Sequence, residues 1–181
     1  MKITENTIGA NISKFLEKKF TILDIQDCAG YGVHPRFNFL IENSHEKFSF
    51  LEFEIKKFAF RNDEGIIKDI ILFIDVLDID EFYEQMVFYY GTAELARLSS
   101  IYLKKNGFLK PIDVKDSDLG THYDGVPTPS VLDYKYLHGL SWFDLKTKLD
   151  TSIEINMYVL NARRYEDRQE VQVTFRGMIK E

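Results

Sequence analysis

The clearest pattern of hydrophobic and polar positions lies in the segment Phe48–Phe60, F-S-F-L-E-F-E-I-K-K-F-A-F. From Leu51 to Lys56 apolar and charged residues alternate, which is the two-residue period of a β-strand with one buried face. The alternation is interrupted at Lys56-Lys57, because Phe58 and Phe60 have the parity of the preceding charged positions. This interruption predicts a β-bulge, or a change in which face of the strand is covered.

Similar patterns predict further strands near residues 20–28, 36–42, 66–77, 152–160 and 170–176. The polar link Glu42–Lys47 predicts a hairpin between the second strand and the strand at 48–60. Asn62–Gly65 has the composition of a turn, and the isoleucine-rich run after it predicts a strand buried on both faces, with a helix as the alternative. The charged link Asn161–Gln169 predicts a hairpin between the last two strands.

Two stretches have the 3.6-residue period of an amphipathic helix. The first covers residues 7–18, and either Thr4 or Thr7 can cap its N-terminus. The second covers residues 79–105, and the basic residues and glycine of 104–107 end it. Both segments are therefore predicted as helices that bury one face.

Three local signals refine the helical predictions. Asp78, with Glu81 three residues later, has the form of a capping box at the start of the second helix. Gly91 lies within that helix, and either bends one long helix or separates two. Residues 134–149 are aromatic and ambiguous, with Ser141–Asp144 as a candidate cap for a short helix.

These elements predict a single α+β domain over residues 1–181. We expect a twisted, mostly antiparallel β-sheet, with an N-terminal helix and a long central helix, or helix pair, packed on it. The strand at 48–60 is expected to be the most buried, because its five phenylalanines require a covering layer. Residues 107–130 contain three of the four prolines and predict an irregular loop of the kind that is functional or mobile.

The composition, with 45% hydrophobic and 29% charged residues, is that of a folded globular protein. The N-terminal residues are polar and lack the apolar region of a signal peptide, and no apolar run is long enough to cross a bilayer. A cytoplasmic location is therefore expected. Cys28 is the single cysteine, so it forms neither an intramolecular disulfide nor a cysteine zinc cluster, and it is predicted to be a small buried hydrophobe.

The net charge of -6 is concentrated in one stretch of the chain. Residues 69–96 contain seven acidic residues and neither lysine nor arginine. Binding of nucleic acid to the surface they form is disfavoured, because neutralising phosphates requires cations. Such a surface instead suits a basic protein partner, or serves solubility.

The sequence lacks the common catalytic motifs, including a glycine-rich phosphate loop, a dinucleotide fingerprint, H-E-x-x-H and G-x-S-x-G. The segment Asp116–Gly120 is similar to the start of a calcium loop, but its glycine comes one place early and the glutamate at position twelve is missing. We interpret its acids as solvated loop residues, and predict no metal and no cofactor. The histidines are scattered and predicted to be surface or structural residues: His34, His45, His122 and His138.

Glu54 and Lys56 are the one pair with the form of a catalytic site. Residues two apart on a strand share a face, so a carboxylate could hold Mg²⁺ while an ammonium stabilises charge on a phosphate. A helix followed by three strands, with E-x-K on the third, resembles the core of the PD-(D/E)xK nucleases across residues 7–60. That family requires a further acid near the start of the preceding strand, where this chain has His34-Pro35-Arg36. A same-face or cross-strand ion pair explains E-x-K equally well.

In size, charge and lack of catalytic motifs, the chain resembles at class level the immunity proteins of bacterial toxin–immunity systems, including contact-dependent inhibition. No motif carries the resemblance. It implies a non-catalytic cytoplasmic inhibitor that binds and occludes a basic toxin domain. The acidic residues expected to contact that partner are Asp75, Asp78, Asp80, Glu81, Glu84, Asp113, Asp116, Asp118 and Asp124. A structural or assembly role in a bacterium or phage is the third alternative, with aromatic hairpins as the interface.

Overall fold

The computed structural model describes residues 2–16, 22–24, 37, 39–42, 47–98, 125–130, 137–159 and 169–178. Within these ranges the strands are β1 (Ile22–Asp24), β2 (Phe39–Glu42), β3 (Ser49–Phe50), β4 (Phe53–Asp63), β5 (Ile66–Val76), β6 (Leu95–Leu98), β7 (Gly125–Pro127), β8 (Leu137–Lys146), β9 (Ser152–Val159) and β10 (Gln169–Gly177). The helical elements are a 3₁₀ turn at Glu5–Thr7, α1 (Ile12–Leu16) and α2 (Ile79–Tyr90). The sheet therefore dominates the described part of the chain.

The strands form one sheet in the order β1-β2-β4-β5-β10-β9-β8-β6-β7, with β3 paired to β4 in a short hairpin. Every one of these strand pairs is antiparallel. The predicted hairpin of the last two strands is confirmed, and β10 also pairs with β5. Alternate residues of β9 and β10 are fully buried on one face of the sheet: Ile153, Ile155, Met157, Val171, Val173 and Phe175.

The predicted β-bulge and turn are both present in the β4–β5 hairpin. Ile55 pairs with Ile74 and Lys57 with Phe73, so β4 has one extra residue between these pairs. At the turn, Glu64 and Gly65 both have positive φ, of 49° and 79°, which is the backbone of a type I′ hairpin turn. The interrupted alternation in the sequence thus correctly predicted the β-bulge in β4.

The prediction that the strand at 48–60 is the most buried is wrong, because β5 is more completely covered. Alternate residues of β5 contribute to two hydrophobic clusters on opposite faces of the sheet. Ile70, Leu72 and Ile74 belong to the main core. Ile71 and Phe73 belong to the smaller cluster on the other face. The isoleucine-rich run is therefore a strand buried on both faces, as its composition predicted.

The α+β arrangement with a long central helix is wrong, since the protein is mostly antiparallel sheet. The second helix ends at Tyr90, because Gly91 adopts a φ of 78° and its N–H donates to the carbonyl of Val87. The chain then continues into β6, which pairs with β7 and β8. The apolar positions after Gly91 thus fit a strand, and residues 99–105 lie outside the described part.

The predicted N-terminal helix over 7–18 is also wrong as a continuous element. Thr4 caps the 3₁₀ turn, and Gly9 then adopts a φ of 86°. The Gly9 N–H donates to the carbonyl of Ile67 at 2.8 Å, and the Ile67 N–H donates to the carbonyl of Ala10 at 3.0 Å. Pairing with the start of β5 therefore interrupts the helical period, and within the described residues 7–16 the α-helix is limited to α1.

Within the ambiguous segment 134–149, residues Leu137–Lys146 form strand β8 rather than a short helix. The proposed cap at Ser141–Asp144 is instead an irregular part of the strand, with a register shift between Trp142 and Leu145 and a φ of 52° at Asp144. His138 lies in β8. The following lie outside the described residues: Cys28, His34, His45, and loop residues 107–124 with His122 and the calcium-like segment.

The helix α2 packs one face against the main core. Phe82, Tyr83 and Met86 are fully buried, and the ring of Phe82 contacts Phe53 in a T-shaped arrangement with centroids 4.8 Å apart. The Asp78 half of the predicted capping box is present, since its carboxylate accepts hydrogen bonds from the N–H groups of Asp80 and Glu81. The Glu81 carboxylate accepts from the side-chain amide of Gln85 instead of from the Asp78 N–H. This packing fixes which residues of α2 face outwards.

Replacing Asp78 with alanine should lower the free energy of unfolding by about 1 kcal/mol, because two N–H groups of the first helical turn lose their acceptor. Urea unfolding of the purified variant measures the change. Glu84→Ala is the matched control, as this exposed acid lies beyond the first turn and should change the value by less than about 0.5 kcal/mol. Equal losses for the two variants would contradict the capping role.

Candidate protein-binding surface

The outward side of α2 carries acids and aromatic residues together. We define the α2 outer face as the exposed residues Leu77, Asp78, Asp80, Glu81, Glu84, Phe88 and Tyr89. Asp80, Glu84 and Phe88 are spaced four residues apart, so they follow one another along one side of the helix. The helix therefore presents carboxylates near its N-terminus and aromatic rings near its C-terminus.

The acids of this face are held on a well-anchored helix. Asp78 is engaged as the N-cap, and the Glu81 carboxylate accepts a hydrogen bond from the side-chain amide of Gln85 at 3.4 Å. At the other end, the Tyr90 hydroxyl donates to the carboxylate of Glu5 at 3.0 Å. Burial raises the pKa of the Tyr90 phenol, and the neighbouring Glu5 raises it further, so the hydroxyl keeps the proton it donates.

The structure separates Asp75 from this helix face, although the sequence grouped it with the same acids. Asp75 lies in β5, half-buried, and its carboxylate is 3.6 Å from the ammonium of Lys56. Glu170 of β10 lies 3.4 Å from the same ammonium. Burial lowers the pKa of Lys56, but the attraction and hydrogen bonds of both carboxylates outweigh it and raise the pKa overall. Asp75 thus belongs to an ion cluster centred on Lys56.

The remaining four predicted contact residues, Asp113, Asp116, Asp118 and Asp124, lie outside the described residues. The described part of the predicted surface is therefore the group of acids on α2.

Sequence reasoning missed the aromatic part of the face. The Phe88 side chain is 84% exposed and that of Tyr89 is 56% exposed, and their rings meet edge to face at 5.6 Å. The buried stripe of α2 is complete without them. Spacing could have revealed Phe88, because it lies four residues after Glu84 and eight after Asp80 and so falls on the acidic side of the helix.

One cation lies at the border of the α2 outer face. The Lys2 ammonium is 2.9 Å from the Glu52 carboxylate, and both side chains are mostly exposed. The hydrogen bond and charge of Glu52 raise the pKa of Lys2, with a smaller contribution from Tyr89. Lys2 therefore stays protonated and forms an ion pair with Glu52 at the edge of the aromatic pair.

Glu54 and Lys56, the pair of the nuclease interpretation, are engaged with different partners. The Glu54 carboxylate lies 3.3 Å from the ammonium of Lys47, and both side chains are largely exposed. Lys56 binds Asp75 and Glu170 as described above. Lys56 is itself the extra residue of the bulge in β4, between the pairs Ile55–Ile74 and Lys57–Phe73. Among the described residues, no cluster of three or more histidine, cysteine or acidic side chains could hold a metal ion.

The fold and the surface together define a mostly antiparallel β-sheet domain with an acidic and aromatic helix face. No protein-family model matches the chain, and no curated protein or solved structure is significantly similar to it. Neither of the described helices has the length and hydropathy required to cross a membrane.

Proposed function

We propose that this protein is a non-catalytic protein-binding module of the cytoplasm, a small acidic immunity or inhibitor protein that binds and occludes a basic toxin domain. One observation carries the proposal: the acidic stretch 69–96, which lacks lysine and arginine, exposes four of its seven acids on one side of α2. A basic domain is the partner whose charge complements this face. Covering the active site of that domain would inhibit it without any reaction.

The position of Glu84 distinguishes a binding role from a purely helical one. Acids in the first turn of a helix interact favourably with its dipole, by about 0.3–1 kcal/mol each. Asp80 and Glu81 lie in that turn, whereas Glu84 lies one turn further along. The dipole falls off within the first turn, so it explains the first two acids and leaves Glu84 without a structural role of this kind.

The expected mechanism is electrostatic steering followed by occlusion. Exposed carboxylates on a fixed helix attract a cationic surface over a distance comparable with the Debye length, which is about 8 Å at physiological ionic strength. Such attraction raises the association rate and loses its effect as salt is added. The sheet beneath α2 supplies the rigid support, because the buried face of the helix is packed against the core.

The charge-reversed variant Asp80→Lys/Glu84→Lys should slow association with the partner by tenfold or more at low salt, in the range known for steered encounters. The partner is first captured from the source cell on the immobilised protein and purified. Stopped-flow association rates are then measured at low and high salt, where the rates of variant and wild-type protein should converge. Asp78 is left unchanged so that the helix keeps its cap.

The matched control is Asp63→Lys/Glu64→Lys, which changes the net charge equally at the exposed β4–β5 turn. This turn lies at the opposite end of β5 from the start of α2, about 33 Å of extended chain away. The control should retain most of the association rate. A folded Asp80→Lys/Glu84→Lys variant that associates at an unchanged rate would exclude the α2 outer face and leave the acids between Asp113 and Asp124 as the remaining candidates.

A further inference from the structure

We infer that Phe88 and Tyr89 form an apolar anchor, which inserts into a hydrophobic pocket of the cationic partner while the acids of α2 contact basic residues beside that pocket. The inference rests on the proposed function and specifies its partner: a protein surface in which an apolar pocket is flanked by lysine or arginine. The observation that carries it is an exposed aromatic pair in which Phe88 lies on the acidic side of α2 and Tyr89 packs beside it.

The aromatic pair contributes little to the folding of its own helix. Phe88 is 84% exposed, and Phe82, Tyr83 and Met86 already bury the inner face of α2. Two large rings held in contact with each other on a solvent-exposed helix match the aromatic residues that dominate binding at protein interfaces. Exposure of both rings therefore points to burial against another molecule.

The pair is also preorganised for binding. The next residue, Tyr90, packs against Trp142 with ring centroids 6.1 Å apart and donates its hydroxyl proton to the hydrogen bond with Glu5. Gly91 then ends the helix and its carbonyl accepts a hydrogen bond from the Trp142 indole at 2.9 Å. The backbone that carries Phe88 is thereby fixed before a partner arrives, which reduces the conformational entropy lost on binding.

The negative charge of the α2 outer face disfavours a second copy of this chain as the molecule that covers Phe88 and Tyr89. Glu84 lies one helical turn from Phe88 and Asp80 lies two turns away, at axial distances of about 6 Å and 12 Å. Two copies joined through this face would bring their acids together, and the stretch 69–96 offers no cation to compensate. Lys2 is engaged by Glu52. The complementary surface is therefore cationic, with basic groups about 6 and 12 Å from the apolar pocket along one line.

The two parts of the face have different kinetic roles. Charges at the surface act mainly on the association rate, whereas a desolvated apolar anchor acts mainly on the dissociation rate. Removing the Phe88 ring should thus weaken binding without changing its dependence on salt. Reversing the acids should weaken binding in a way that disappears at high salt.

Two synthetic peptides test the inference without knowledge of the partner. One contains lysine, arginine and leucine, and the other has the same charges with glutamine in place of leucine. Each is titrated into the ¹⁵N-labelled full-length protein at low and high salt, with binding followed by amide chemical shifts. We expect the leucine peptide to perturb residues 79–91 and to bind at least tenfold more tightly than the glutamine peptide.

Phe88→Ala should abolish this tenfold preference and leave the salt dependence unchanged. The matched control Leu149→Ala, which removes a side chain that is 61% exposed in the β8–β9 turn, should retain it. Thermal unfolding verifies that both variants are folded.

Equal affinity of the two peptides for α2, unaffected by Phe88→Ala, would overturn the anchor and leave the acidic face as the binding surface. Binding of neither peptide would also overturn the inference. Binding away from α2 that Asp80→Lys/Glu84→Lys does not weaken would count against the proposed function as well.

Discussion

Replacing Trp142 with alanine is expected to lower the free energy of unfolding by about 3–5 kcal/mol. The indole is 1% exposed and connects the sheet to the C-terminal end of α2. Its Nε1 donates to the carbonyl of Gly91 at 2.9 Å, and its ring packs against Tyr90. The alanine variant would leave a large cavity and remove the contact that holds the end of the helix. Urea unfolding followed by linear extrapolation measures the loss.

Two companion variants separate the contributions of Trp142. Trp142→Phe retains an aromatic ring but loses the hydrogen bond to Gly91 and part of the buried volume of the indole, so its loss should be smaller than that of Trp142→Ala. Phe143→Ala removes the adjacent, half-buried ring of the same strand and should cost less than Trp142→Ala. A loss below about 1 kcal/mol for Trp142→Ala would contradict the role assigned to the indole.

Replacing Arg61 with methionine should cost about 2–4 kcal/mol of unfolding free energy, because it leaves the buried carboxylate of Asp69 without its guanidinium. Arg61 and Asp69 face each other across β4 and β5, with the Arg61 Nε 2.8 Å from the Asp69 carboxylate. The Asp69 side chain is buried, while 32% of the Arg61 side chain is exposed. This partial exposure keeps the expected loss below the value for a fully buried pair.

The double variant Arg61→Met/Asp69→Leu should recover most of that loss, because replacing a buried ion pair by apolar side chains is often neutral or stabilising. Urea unfolding of both single variants and the double variant gives the coupling free energy between the two residues. If the double variant were as unstable as the sum of the single losses, the two side chains would be independent, and the interpretation as a coupled pair would be wrong.

The parts of the fold that the sequence predicted are those in which one local pattern determines one element. β9 and β10 each bury one face, so their alternation is visible in the sequence. The bulge in β4 is equally visible, since an extra residue changes the parity of every apolar position after it. The cap at Asp78 requires only residues within one helical turn.

The parts that failed depend on pairing between distant residues. Leu95 and Leu98 fit a continued helix by their spacing, yet they pair in β6 with Ser141 and Leu137 of β8, which lie 46 and 39 residues later in the chain. Gly9 and Ala10 likewise leave the helical path for hydrogen bonds with Ile67. A local period carries no information on such partners, because tertiary pairing overrides propensity once the backbone groups are satisfied elsewhere.

The acids of the candidate surface could be predicted from the sequence, whereas their grouping with other residues depends on tertiary contacts. Charge is a property of the sequence, so the acids of α2 could be recognised before their positions were known. Asp75 could not be separated from them, because its neighbours come from other strands of the sheet, Lys56 from β4 and Glu170 from β10, which is far away in the chain. Phe88 and Tyr89 resemble core residues by type. The spacing of Phe88 from Asp80 and Glu84 already indicates an outward position, whereas that of Tyr89 follows only from the packing of α2.

The position of β10 has a consequence for the synthesis of this protein. β10 is the last described strand in the chain, yet it lies between β5 and β9 in the sheet. While the ribosome is still producing residues 169–177, both neighbouring strands present unpaired backbone edges of the kind that promote aggregation. Pairs of high sequence separation also close slowly. Until residues 169–177 have been made, β5 and β9 therefore each keep one edge open to misassembly, and β10 closes both edges at once.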